Sequence, residues 1–114
     1  MSDCLFCKII KGEIPSEKVY EDEQVYAFKD IQPAAKEHLL FIHKDHTKNV
    51  NEIADNAPEQ LAAIFKAISF VTKEIGLTED GFRVTTNYGP NAGQAVFHTH
   101  FHVLGGERLA PLGR

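Results

Sequence analysis

An α+β fold, an antiparallel sheet carrying helices, is the class this sequence predicts. Short runs rich in Val, Tyr, Phe and Ile recur along the chain, separated by turn residues. Two of them stand only a polar Asp22-Glu23 pair apart, the spacing of a hairpin and so of antiparallel pairing. One long segment carries the period of an amphipathic helix instead.

Cys4 to Ile10 places Leu5, Phe6, Ile9 and Ile10 at helical spacing, with Gly12 as a stop and Ile14-Pro15 beyond it. Lys18 to Glu21 and Gln24 to Lys29 are the paired strands, and Pro33 ends the second. His38 to His43 reads as a third, mostly buried strand. The polar stretch 44–57 reads as a connection with a helical turn inside it. From Pro58, the residues Leu61, Ile64, Phe65, Ile68, Val71 and Ile75 form the apolar stripe of the long helix, closed by Gly76, and read as core. Phe82 to Tyr88 is a fourth strand, Gly89 to Gln94 a glycine-containing loop, and Val96 to Leu104 a fifth strand.

That last strand carries the strongest functional signal. Its run His98-Thr99-His100-Phe101-His102-Val103-Leu104 holds three of the chain's six histidines at alternate positions. Alternation puts the three imidazoles on one face and Phe97, Thr99, Phe101 and Val103 on the other. Imidazole titrates near ~6.5, so such a row can supply a nucleophile, an acid or a metal ligand at neutral pH. Packing alone gives no reason for three polar rings in strict alternation. The loop just upstream, Gly89-Pro90-Asn91-Ala92-Gly93-Gln94, is no Walker motif, and by itself such a loop is commonly a plain connection. Beside the histidines it gains meaning, because amides that cradle a phosphate then adjoin an imidazole that can attack it.

Composition limits what this site serves. The 114 residues suit one domain, 1–114, and 43% hydrophobic content suffices for a core without disulfides. With 12 Lys and Arg against 16 Asp and Glu and no basic run, nucleic acid binding through a basic surface is not expected. No apolar run approaches the ~20 residues of a membrane span, and Met1-Ser2-Asp3 lacks the basic start of a signal peptide, so a soluble cytoplasmic protein is expected.

The alternating histidines resemble the His-x-His-x-His-x-x signature of the histidine triad (HIT) superfamily. Phe6-Cys7-Lys8-Ile9-Ile10 with Glu13-Ile14-Pro15, Phe28-Lys29-Asp30-Ile31 with Pro33, and Asn87-Tyr88-Gly89 with Gly93-Gln94 extend the likeness to its adenosine phosphoramidase branch. The resemblance implies a five-stranded antiparallel sheet with two helices, a homodimer with a continuous ten-stranded sheet, and a purine nucleotide substrate such as an AMP or GMP conjugate. It also implies hydrolysis of the P–N bond of nucleoside 5′-phosphoramidates. In that scheme His100 is the nucleophile on the α-phosphorus, and His102 stands against the phosphate oxygens and assists protonation of the leaving group. Asp30 accepts from the ribose hydroxyls, and Leu5, Phe6, Phe28 and Ile31 wall the base. Without the resemblance those four apolar residues read as core. Asn87, Gly93, Gln94 and Ala95 fall at the phosphate loop. Ala95 stands where several phosphoramidase relatives carry serine, which removes a hydroxyl near the leaving group. Hydrolysis of dinucleoside polyphosphates, or nucleotide binding without turnover, are the alternatives.

Cys4-Leu5-Phe6-Cys7 has a C-x-x-C spacing that lets two thiolates share a metal, though two ligands do not make a site. Reduced thiols on a helix are the plain alternative. The resemblance to zinc-containing relatives implies His46 and His98 as the remaining ligands of a structural Zn²⁺, with no metal needed for the chemistry. His38 is expected to hydrogen-bond near the triad, and His43 stands where relatives often have proline.

Overall fold

In the computed structural model, which describes residues 4–112, strands β1 (Lys18–Glu21), β2 (Val25–Lys29), β3 (Glu37–His43), β4 (Phe82–Thr85) and β5 (His100–Gly105) form one antiparallel sheet of order β1-β2-β3-β5-β4. Helices α1 (Leu5–Ile10), α2 (Val50–Asn56) and α3 (Pro58–Glu74) complete the α+β architecture. Met1-Ser2-Asp3 and the last two positions of the 1–114 span lie outside the described residues. The expected hairpin forms, and Asp22 closes it by accepting from the amides of Gln24 and Val25 at 2.8 and 2.9 Å.

Alternation along the strands divides the interior in two. On one face Val25, Ala27, Leu39, Phe41, Phe101 and Val103 pack against Ile53 of α2 and Ile64, Ala67, Ile68 and Val71 of α3. On the other, Tyr26, Phe28, Leu40 and Ile42 pack against Phe6 and Ile9 of α1. Within that second face Leu40 lies opposite His102 and Ile42 opposite His100, so the helix that covers the sheet here also borders the histidines.

Four sequence expectations change. β5 starts at His100 instead of Val96, because the Thr99 amide donates to Thr47 O at 2.7 Å and its hydroxyl to Asn49 O at 2.9 Å, anchoring the chain in a loop. β4 stops at Thr85, short of Tyr88, where the Thr86 hydroxyl turns to the His100 carbonyl at 2.7 Å. The 44–57 connection contains a full helix, α2, capped by Asn49 Oδ1 accepting from the Glu52 amide at 2.9 Å. Phe65 and Ile75, read as core, are both 46% exposed, although Phe65 still meets Phe101 edge-on. Among the described residues no helix is long and apolar enough to cross a membrane.

Candidate active site

A cleft of about 430 Å³ opens on the α1 side of the sheet, with His100 and His102 at its floor. Phe6 and Phe28 form its apolar wall, their rings edge-on at 5.8 Å, and Leu5 and Ile31 flank the mouth. At 44% and 90% exposure, Leu5 and Ile31 are rim residues, whereas Phe6 and Phe28 are buried at 5% each. Asp30, Asn87, Gly93 and Ala95 also line the cleft.

The hydrogen-bond pattern assigns a proton to each ring. His100 Nδ1–H donates to the His98 carbonyl at 2.7 Å, which leaves the lone pair on Nε2. Burial, only partly offset by that bond, holds His100 below the usual imidazole range, so the ring stays neutral and nucleophilic. His38 Nδ1 accepts from the Ala34 amide at 2.9 Å, so its proton is on Nε2. That Nε2–H faces His102 Nδ1 at 2.9 Å, with Asp30 Oδ2 a more distant acceptor at 3.4 Å. His102 is therefore the tautomer with its proton on Nε2, and burial reinforced by neighbouring rings pushes its pKa down to about 4. One neutral ring thus offers a lone pair and the next an N–H, with ring centroids 5.2 Å apart. The expectation for His38 is met, and its diagonal position across the β3–β5 ladder is what reaches His102.

The glycine loop is braced from within. Gln94 does not line the cleft: its Oε1 accepts from the Gly89 amide at 2.8 Å, and its Nε2 donates to the carbonyls of Lys48 and Val96. This buried side-chain amide spans the loop and joins it to the α2 approach, so the side chain braces the loop in which Gln94 is expected to meet the nucleotide. Gly93 takes a left-handed φ of 75°, which favours glycine at the turn out of the short 3₁₀ segment Pro90–Ala92.

His98 belongs to a different constellation. Its Nδ1 is 3.2 Å from Cys4 Sγ and 3.6 Å from Cys7 Sγ, and Cys7 Sγ is 3.4 Å from His46 Nδ1. The ligand atoms of Cys4, Cys7, His46 and His98 all lie within 4.8 Å of one another. His98 Nε2–H donates to the His43 carbonyl, which leaves Nδ1 bare toward the sulfurs, the orientation a metal-ligating histidine takes. Burial pushes the His98 pKa down to about 4, so the ring is neutral, as ligation demands. Two sulfurs and two imidazole nitrogens fit a tetrahedral, moderately soft cation. Asp30, His38 and His102 form another close group of polar atoms, but both His38 nitrogens are engaged, by the Ala34 amide and by His102, and that contact also takes His102 Nδ1.

Several participants escape sequence reading. Leu40 lines the cleft as the residue opposite His102, and the Ile14-Pro15-Ser16 segment closes one side. His43 is buried with both ring nitrogens engaged, by Thr47 Oγ1 and Gln60 Oε1. The period-two rule along β3 could have placed Leu40 with His38; nothing local marks His43.

A family model described as HIT domain matches residues 11–109. The fold superposes on a HIT family hydrolase from Clostridium thermocellum with a TM-score of 0.92 and 50% identity, covering 97% of this chain and 96% of that one. A histidine triad protein from Clostridium difficile gives a TM-score of 0.94 at 42% identity, covering 99% and 98%. In sequence, the purine nucleoside phosphoramidase of Escherichia coli K12 is 37% identical over 110 residues, 96% of this chain and 92% of that protein.

Proposed function

Since the chain belongs to the HIT domain family, we propose that it hydrolyses the P–N bond of purine nucleoside 5′-phosphoramidates, releasing the nucleoside monophosphate and an amine. The observation that carries this reading is the tautomer set: His100 presents an Nε2 lone pair, and His102 an Nε2–H, to a cleft with an aromatic wall. The resemblance to a purine nucleoside phosphoramidase supports the same substrate class.

In this reading the base lies between Phe6, Phe28, Leu5 and Ile31, and Asp30 accepts from the ribose hydroxyls. Asp30 is preset for that task, since the Gln32 amide holds its Oδ1 at 2.8 Å. The phosphoryl group rests by the Asn87, Gly93 and Ala95 loop, with the His102 N–H on one of its oxygens, where negative charge grows. His100 Nε2 attacks the α-phosphorus, the P–N bond breaks, and the leaving nitrogen takes a proton drawn from solvent by way of the His102 Nε2–H, which leaves the His102 ring neutral again. Water then attacks the nucleotidyl-His100 adduct, breaks its P–N bond and returns one proton. Net, water adds across the substrate P–N bond. Base and ribose contacts supply the positioning that holds phosphorus in line with Nε2.

Cys4, Cys7, His46 and His98 would hold a structural Zn²⁺: four protein ligands leave no open position for substrate. A homodimer with a ten-stranded sheet belongs to the same reading and would use an open edge strand, β1 or β4. A cytoplasmic location suits the two free thiols.

The test is AMP release from adenosine 5′-phosphoramidate by wild type and by His100→Ala, with a diadenosine polyphosphate assayed in parallel. Turnover of the phosphoramidate that vanishes in the variant supports the assignment. Faster cleavage of the polyphosphate, or nucleotide binding without turnover, overturns it.

A further inference from the structure

The two candidate ligand cysteines enclose two of the residues that line the cleft, Leu5 at its rim and Phe6 in its wall. In Cys4-Leu5-Phe6-Cys7 the outer side chains face His46 and His98, while Leu5 and Phe6 line the cleft. Phe6 bridges both groups, with its ring edge-on to His98 at 5.9 Å, His100 at 4.9 Å and Phe28 at 5.8 Å.

The two sides of this bridge are anchored unequally. α1 has only six residues, too few to hold helical form alone. Among the described residues, its side-chain hydrogen bonds to distant parts of the chain run through Cys4 and Cys7, and its other side-chain contacts are the apolar ones of Phe6, Ile9 and Ile10. The β5 side keeps its place without the cysteines: His98 is held by the His43 carbonyl and Thr99 by Thr47 and Asn49. Losing a metal would therefore release the base wall and leave the His100 nucleophile where it is.

Resting on the nucleotide reading above, we propose that Cys4 and Cys7 are positioning residues for the nucleotide. Through the metal they share with His46 and His98 they set Phe6, so metal occupancy governs nucleotide affinity and leaves the chemical step nearly unchanged.

Full-length protein is loaded with one equivalent of zinc chloride or stripped with a chelator, its metal content measured and its fold followed by circular dichroism. AMP is then titrated calorimetrically into both forms. Loosening one aromatic wall weakens AMP binding about tenfold on stripping, and adding zinc restores it. Over the same change kcat at saturating phosphoramidate moves less than about threefold, so the effect falls on KM. Phe6→Ala, which keeps all four ligands, binds zinc normally, binds AMP about tenfold more weakly when loaded, and loses most of its response to stripping. If the stripped wild type unfolds, the metal holds the whole fold and not Phe6 in particular, which refutes the proposal, and unchanged AMP affinity in loaded Phe6→Ala refutes it as well. Equal AMP affinity in folded loaded and stripped wild type refutes it too, as does failure to take up zinc or a loss confined to kcat. No AMP binding by zinc-loaded wild type instead removes the nucleotide reading itself, and the proposal with it.

Discussion

His38→Ala tests the proton assignment most directly. In the native site the Ala34 amide fixes the His38 proton on Nε2, and that proton fixes His102 through the 2.9 Å contact to Nδ1. Alanine removes the donor and leaves His102 Nδ1 in a half-buried position without its partner, free to take the tautomer that turns a lone pair toward the phosphate. Losing one such buried hydrogen bond costs ~1–3 kcal/mol, and if that loss falls on the transition state kcat drops about 5- to 150-fold. KM should change less than about threefold, because Phe6, Phe28 and the Asp30 carboxylate, still held by Gln32, remain in place. The Ala34 amide is at an exposed position and can turn to water, but His38 is itself buried, so the void left by its ring should lower the melting temperature by several degrees, and the test rests on kcat measured on the folded variant. His38→Gln, which keeps an N–H donor at similar reach, should recover part of the rate. Steady-state kinetics on adenosine 5′-phosphoramidate for the three proteins provide the readout. A kcat for His38→Ala within about threefold of wild type would show that the His38–His102 pair does not set the reactive tautomer.

Other outcomes follow from the same geometry. Protonation removes the His100 lone pair, and its folded-state pKa lies below the usual ~6.5, so kcat/KM should hold as pH falls past 6.5 and decline only below it. An acid limb centred above 6.5 would contradict a buried neutral nucleophile. Gln94→Ala removes the brace across the glycine loop, so KM should rise and stability drop by ~1–3 kcal/mol, read by kinetics and urea unfolding. Unchanged KM would show that the loop does not depend on Gln94. Ile64→Ala opens a cavity at a fully buried α3 position and should cost ~2–5 kcal/mol in urea unfolding. A loss under about 1 kcal/mol would mean that α3 collapses to fill the space.

The parts legible in the sequence are those set by period and spacing. Alternation alone puts His100 and His102 on the face opposite Phe101 and Val103, and the long helix follows from its stripe and its terminal Pro58 and Gly76. What the sequence hides depends on distant partners. Val96 to Thr99 has strand composition, yet Thr99 bonds to Thr47 and Asn49, some fifty positions away, and the chain stays in a loop. His98, in step with its neighbours by count, therefore sits in the cysteine cluster and leaves the cleft to the other two. α2 was within reach: Asn49 followed by Glu52 is a helix-start signal, masked by a polar stretch in which Ile53 is the buried apolar anchor. His43 could not be read locally, because its partner Gln60 lies on another element.

The alternation within β5 also shapes how this protein can change. Phe101 and Val103 belong to the core, while the neighbouring His100 and His102 line the cleft, so one six-residue strand serves both at every second step. A single inserted or deleted residue there would exchange the two sets, sending imidazoles into hydrocarbon and aromatic bulk into the cleft. Only substitution, and not a change of length, keeps both faces of this segment in place. Because each such substitution bears on core packing on one side of the ribbon and on the cleft on the other, added residues should be tolerated in the loops long before they are tolerated in the last strand.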